Sequence, residues 1–151
     1  MPKTQILYFA FGSNMKTSRL QARTPSANPV GIAKLKDYKL EISKYSRSDG
    51  SGKGNIIESK SDEVWGVLFK LNESELSNLD RAEAGYDRVL KTVIDSEGKE
   101  HEALLYQSDK YTDEPAFEWY KKYIVDGAKE HNLPEGYIKY LEKLPSKGDN
   151  A

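Results

Sequence analysis

The sequence predicts an α+β fold on three observations. It opens with an aromatic, apolar run ending at a glycine, its middle shows strand-length alternating or continuous apolar segments, and its last part switches to helical spacing. With 151 residues the chain is long enough for one hydrophobic core and too short for two independent ones.

The opening run over 5–11, ending at Gly12, reads as a strand buried on both faces and central in its sheet. Ser13 and Asn14 are good N-cap residues for a short helix over 15–21, which Thr24 and Pro25 interrupt. Tyr38, Leu40 and Ile42 alternate with polar neighbours, the period of a strand with one wet face. Residues 46–54 collect serine, glycine and charge, and read as a mobile loop bordering a site. Strands are predicted over 55–58, 64–71, 86–94 and 102–107, the last two joined by a turn at Asp95, Ser96, Glu97 and Gly98. Between them, 72–85 reads as a three-turn helix, with Asn72 and Glu75 as a capping box and Gly85 as its stop. Ala116, Tyr120, Ile124 and Ala128 recur at helical spacing behind Thr112, Asp113 and Pro115, and a shorter helix follows Pro134. The expected organisation is one domain over 1–145 and a flexible tail over 146–151.

Composition narrows the chemistry. With no cysteine, the chain has no thiolate nucleophile, disulfide or cysteine zinc site. A net charge of -1, from 23 basic and 24 acidic residues, gives no overall field for a polyanion, so no nucleic-acid partner is expected. No apolar run reaches the roughly 20 residues of a membrane span, and no secretory core follows the start, so the expected setting is cytoplasmic with no membrane partner. His101 and His131 lie apart among glutamates and read as surface residues. The glycine-rich stretch at Gly50 fails the phosphate-loop pattern because Gly54 stands where Ser or Thr is needed.

Two segments carry candidate chemistry. In the helix over 72–85, Leu76, Leu79 and Ala82 form an apolar stripe, and Glu83 lies four residues after Leu79 and seven after Leu76, on that same face. Burial and the negative end of the helix dipole would both raise its pKa and make it a better base. The bland alternative pairs Glu83 with Arg88 or Arg81 at the core's edge, or leaves it in solvent; Asp80, at the stripe's margin, competes for the same role. The second segment is the turn after the first strand, whose backbone NH groups would seat a carboxylate or an oxyanion. An ordinary strand-to-helix connection is its bland alternative.

Together the Tyr8-to-Asn14 string, Gly54-Asn55-Ile56, the stretch from Asp62 to Val67, Leu79-Asp80 to Glu83, Gly127 to Glu130 and Asn132-Leu133-Pro134 resemble the gamma-glutamylcyclotransferase family, in that family's order. The resemblance implies a mixed, mostly antiparallel, barrel-like sheet with flanking helices. It also implies conversion of a γ-glutamyl amino acid or amine to 5-oxoproline and the free amine, with no cofactor or metal. Carried over by position, Glu83 is the acid/base residue, and Tyr8, Phe9, Ala10, Phe11, Gly12 and Ser13 form the substrate loop. Asn55, Ile56 and Tyr137 line the pocket. Phe11 departs from the tyrosine usual in the family, which bears on the choice of substrate. A homodimer is a further implication of the resemblance. Two other readings stand beside the enzyme: a non-catalytic module binding a small anionic ligand in the same pocket, and an RNA-binding domain using Tyr8, Phe9 and Phe11 as stacking aromatics.

Overall fold

The computed structural model describes residues 4–148. The opening apolar run is continuous because consecutive Tyr8, Phe9 and Ala10 are buried, on both faces of the strand, whose edges are both paired. Strand β1 (Gln5–Ala10) pairs antiparallel with β3 (Gly52–Asn72) from Gln5↔Asn72 to Ala10↔Val67, and meets β5 (Glu100–Gln107) in parallel register at Tyr8↔Leu104. With β2 (Asn28–Tyr45) and β4 (Asp87–Asp95), these strands close into a barrel in the order β1-β3-β2-β4-β5. Along these strands Phe9, Val64, Val67, Phe69, Leu71, Val93 and Leu105 are fully buried, Phe9 on the face of Leu68 and Phe69 on the opposite face with Tyr8.

Where two strands were expected over 55–58 and 64–71, β3 is one strand of 21 residues paired along an 18-residue β2. The polar stretch between the two expected strands is absorbed by a bulge. Asp37 and Ser61 take positive φ, and the Asp37 carboxylate accepts the Ser61 N–H at 3.1 Å. The β2–β3 turn is pinned rather than open, because Asp49 Oδ1 accepts from Ser51 N and Oγ at 3.0 and 2.6 Å. The β4–β5 hairpin turns as expected, with Gly98 at φ 84.

Helix α1 (Thr17–Arg23) starts later than predicted, after a 3-10 turn over Ser13–Met15. Helix α2 (Leu76–Ala82) follows a second 3-10 turn, Glu73–Glu75, and lacks the expected capping box: Asn72 makes no side-chain cap, and Glu75 accepts from Ser26 N and Oγ instead. Gly85, at φ 90, ends the turn that follows it. Residues Ala116–Phe117 form strand β6 before α3 (Glu118–Glu130), and α4 (Glu135–Glu142) follows Pro134. Ser146–Lys147, expected in a flexible tail, pair as β7 in parallel with β6; residues 149–151 lie outside the described ones. His131, expected at the surface, is instead partly buried between Thr17, whose Oγ1 lies 2.9 Å from Nε2, and the Phe69 ring.

The contact that matters most for the site is α3 against the 3-10 turn. A Cβ on Gly127 would come within 2.5 Å of Lys16 N and 2.6 Å of Met15 C, so only glycine lets the helix press on the segment carrying Asn14. Among the described residues no helix is long and apolar enough to cross a membrane.

Candidate active site

At the end of β1 the chain turns at Gly12, and a cavity of about 910 Å³ opens between this turn, α1, the C-terminus of α2, the β2–β3 turn and the start of α3. Glu83 caps α2, with its N–H on Leu79 O at 2.9 Å, and its side chain lines the cavity. There Asn14 Nδ2 donates to Glu83 Oε1 at 2.6 Å and lies 3.1 Å from the Tyr8 hydroxyl. Asn14 Oδ1 in turn accepts from Arg23 Nη1 at 3.1 Å.

Arg88 bonds Asp80 at 2.8 Å and Arg81 bonds Asn78 at 2.9 Å, so neither arginine takes Glu83. Asp80 is also committed to the Tyr106 hydroxyl at 2.6 Å, on the exposed side of α2. Burial raises the Glu83 pKa; Arg23, the Asn14 hydrogen bond, Arg19 and Lys44 oppose the rise without cancelling it. The Tyr8 hydroxyl is pushed well above its usual range by burial and by the charge of Glu83, so it stays protonated.

Of the residues singled out from sequence, Tyr8, Phe11, Gly12, Ser13 and Glu83 meet at this cavity. Phe9, Ala10, Asn55, Ile56 and Tyr137 do not line it. Phe9 and Ala10 are buried in the hydrophobic core, as is Ile56 opposite Leu40. Buried Asn55 spends its amide on main chain, donating to Ser108 O at 2.9 Å and accepting from Ser108 N at 3.0 Å. Since Ser108 Oγ donates to Gly85 O, Asn55 braces the Glu83 turn from behind. Tyr137 is carried by α4 to a separate hollow of about 540 Å³, stacked on Tyr140 with centroids 5.8 Å apart, beside Trp65 and Pro134. The rings of Tyr8, Phe9 and Phe11 are all buried, which removes the exposed stacking face an RNA-binding strand requires.

The structure adds residues that the sequence reading missed. Tyr120 Oη accepts from Gly54 N at 2.9 Å, and Tyr86 Oη donates to Gly54 O at 2.7 Å, so two tyrosines fix β3 where it borders the cavity. Arg19 donates to Ser13 Oγ at 3.1 Å and lies over the Tyr123 ring at 4.6 Å. Lys53 is held by Asp49 at 3.2 Å and over the Trp119 and Tyr120 rings. The available signal was Arg19 and Arg23, four apart and directly behind a glycine turn, which share one helix face. The cavity therefore presents one carboxylate of raised pKa among guanidinium and ammonium groups, beside a turn whose opening N–H groups have no acceptor within it. That is suited to a zwitterionic or anionic ligand bearing an amine.

The AIG2-like family profile matches residues 63–141. Gamma-glutamylcyclotransferase of Bos taurus is 42% identical over 146 residues, spanning 91% of this chain and 78% of its own; that of Homo sapiens is 41% identical, spanning 91% and 76%. A solved structure of a gamma-glutamyl cyclotransferase superposes with a TM-score of 0.92 at 35% identity, covering 98% of this chain and 92% of its own. An uncharacterized Homo sapiens protein does so at 0.90 and 37%, covering 97% and 92%. Likeness of this degree across nearly the whole chain places the protein in the AIG2-like gamma-glutamylcyclotransferase family of enzymes.

Proposed function

We propose that this protein cyclises the γ-glutamyl group of a γ-glutamyl amino acid, releasing 5-oxoproline and the free amino acid, with Glu83 as the acid/base. The observation that carries this reading is the Asn14 amide holding a buried carboxylate of raised pKa toward the cavity beside the β1 turn. The carboxylate takes a proton from the substrate's α-ammonium. The freed lone pair attacks the γ-carbonyl carbon, forming the ring C–N bond and a tetrahedral oxyanion. On collapse the original amide C–N bond breaks, and its electron pair leaves with the departing nitrogen. That nitrogen is protonated through Glu83. Of the three ammonium protons, one stays on the lactam nitrogen and two finish on the departing amine, so Glu83 ends as it began.

The nucleophile belongs to the substrate, so folding its chain into attack geometry supplies much of the acceleration. The opening N–H groups of the 3-10 turn, with Arg19 and Arg23 nearby, suit the glutamyl α-carboxylate. Phe11 lines the cavity with a bare ring, which trims the polar contacts offered to the substrate.

Incubation with γ-glutamyl-alanine and related amides, with detection of 5-oxoproline, tests the reaction; Glu83→Gln tests the mechanism. Thermal stabilisation by γ-glutamyl-alanine without turnover would instead support a binding module. The implied homodimer is checked by sedimentation.

A further inference from the structure

Lys44 is the cation in the cavity wall that the proposed mechanism leaves unused. Its residue is only 6% exposed, yet its side chain lines the cavity. The ammonium lies over the Tyr86 ring at 4.8 Å and donates to Ala84 O at 3.2 Å. Among the described residues no carboxylate stands within ion-pair distance of it. The nearby Asp49 is already held by Lys53. An ammonium has three donors, and a carbonyl uses one. Burial disfavours the charge of Lys44, which the longer-range charge of Glu83 only partly offsets, and an anion bound in the cavity would relieve that cost. Gly85 leaves room for the ammonium itself, since a Cβ there would lie 2.7 Å from Nζ.

The two arginines and Lys44 are held by different elements. Arg19 and Arg23 belong to α1 and bond the β1 turn, whereas Lys44 belongs to β2 and bonds the loop directly after Glu83. Both sets act on the charge of Glu83. A γ-glutamyl amino acid carries two carboxylates, one on each side of the bond that breaks. With the arginine side occupied by the glutamyl carboxylate, the other carboxylate needs a cation on another wall.

We infer that Lys44 is a specificity-determining residue whose ammonium receives the α-carboxylate of the departing amino acid. This rests on the cyclotransferase reading. Lys44 thereby favours γ-glutamyl compounds whose leaving amine carries a carboxylate over those whose amine is neutral.

The test compares γ-glutamyl-alanine with γ-glutamyl-ethylamide, which lacks only the second carboxylate. Wild-type protein is expected to have the lower KM for γ-glutamyl-alanine. Lys44→Met is expected to raise that KM by roughly 10- to 100-fold, the loss of a charge-assisted hydrogen bond, and to leave γ-glutamyl-ethylamide within about threefold. Lys44→Arg keeps the preference, and Lys44→Gln serves if the methionine variant fails to fold. Equal wild-type KM values, an unchanged preference in the methionine or glutamine variant, or an equal loss on both compounds would overturn the inference. If wild-type protein forms no 5-oxoproline from either compound, the cyclotransferase reading is what fails. Thermal stabilisation by the two compounds then still reads the carboxylate preference, and its survival in Lys44→Met would sink the role of Lys44.

Discussion

Asn14 joins Arg23 to Glu83 through a single amide: Oδ1 accepts from the guanidinium at 3.1 Å while Nδ2 donates to the carboxylate at 2.6 Å. The amide fixes the carboxylate's direction and transmits a cation's influence without an ion pair. It also limits how far burial can raise the pKa.

Replacing Asn14 by Ala removes a hydrogen bond to a charged group, worth about 1.5–3 kcal/mol. The expected result is a kcat lower by roughly 10- to 100-fold. Because this hydrogen bond favours the ionised form, the acidic limb of the pH–rate profile should move to higher pH. A limb that stays in place, or moves down, would contradict the arrangement.

Glu83→Gln should lower turnover by about two to four powers of ten and abolish that acidic limb. Its effect on stability has the opposite sign. The folded pKa lies above the ordinary value of 4.5, so between the two the folded state binds more protons than the unfolded chain. Stability then falls as pH rises through that window, and the cost persists at neutral pH. The Gln variant, which keeps an oxygen for Asn14, should have the higher Tm at neutral pH, with the gap closing as pH falls toward 4.5. Melting curves across that range are decisive.

Tyr120→Phe leaves the buried Gly54 N–H without its acceptor, a cost of about 1–3 kcal/mol, or a Tm lower by roughly 2–12 °C. Calorimetry measures it. A variant as stable as wild type would mean that this N–H finds another partner.

Gly127→Ala sets two effects against each other. Alanine gains about 1 kcal/mol in helix propensity, but its Cβ meets main chain at Lys16 and Met15, where overpacking costs about 1–3 kcal/mol or more. Backbone yields less readily than a side-chain tip, so net destabilisation is expected. Kinetics should decline as well, since the displaced turn carries Asn14.

Much of this fold was legible because local pattern and tertiary setting agree. The apolar run of β1, the Gly98 hairpin and the helix after Pro134 are cases where one periodicity has one meaning. The misreadings fall where side chains serve distant partners. Asn14 and Asn72 look like caps, but Asn14 is taken by a carboxylate 69 residues away, and Glu75 is taken by Ser26. The continuity of β3 was unreadable because a bulge with Ser61 at positive φ has the composition of a turn. Lys44 did leave a trace: it continues the inward phase of Tyr38, Leu40 and Ile42, a charge in a place reserved for apolar groups. Tyr137 was misplaced because helical spacing gives a face without saying which cavity that face meets.

The parallel meeting of β1 and β5 at Tyr8 and Leu104 has one more implication. Tyr8 stands at once on the seam of the barrel and, through its hydroxyl, against the amide that aims Glu83. Loosening that seam would slacken the aim of the acid, so amide exchange at Leu104 and catalytic competence should decay together on warming, ahead of the melting of the β2–β3 ribbon.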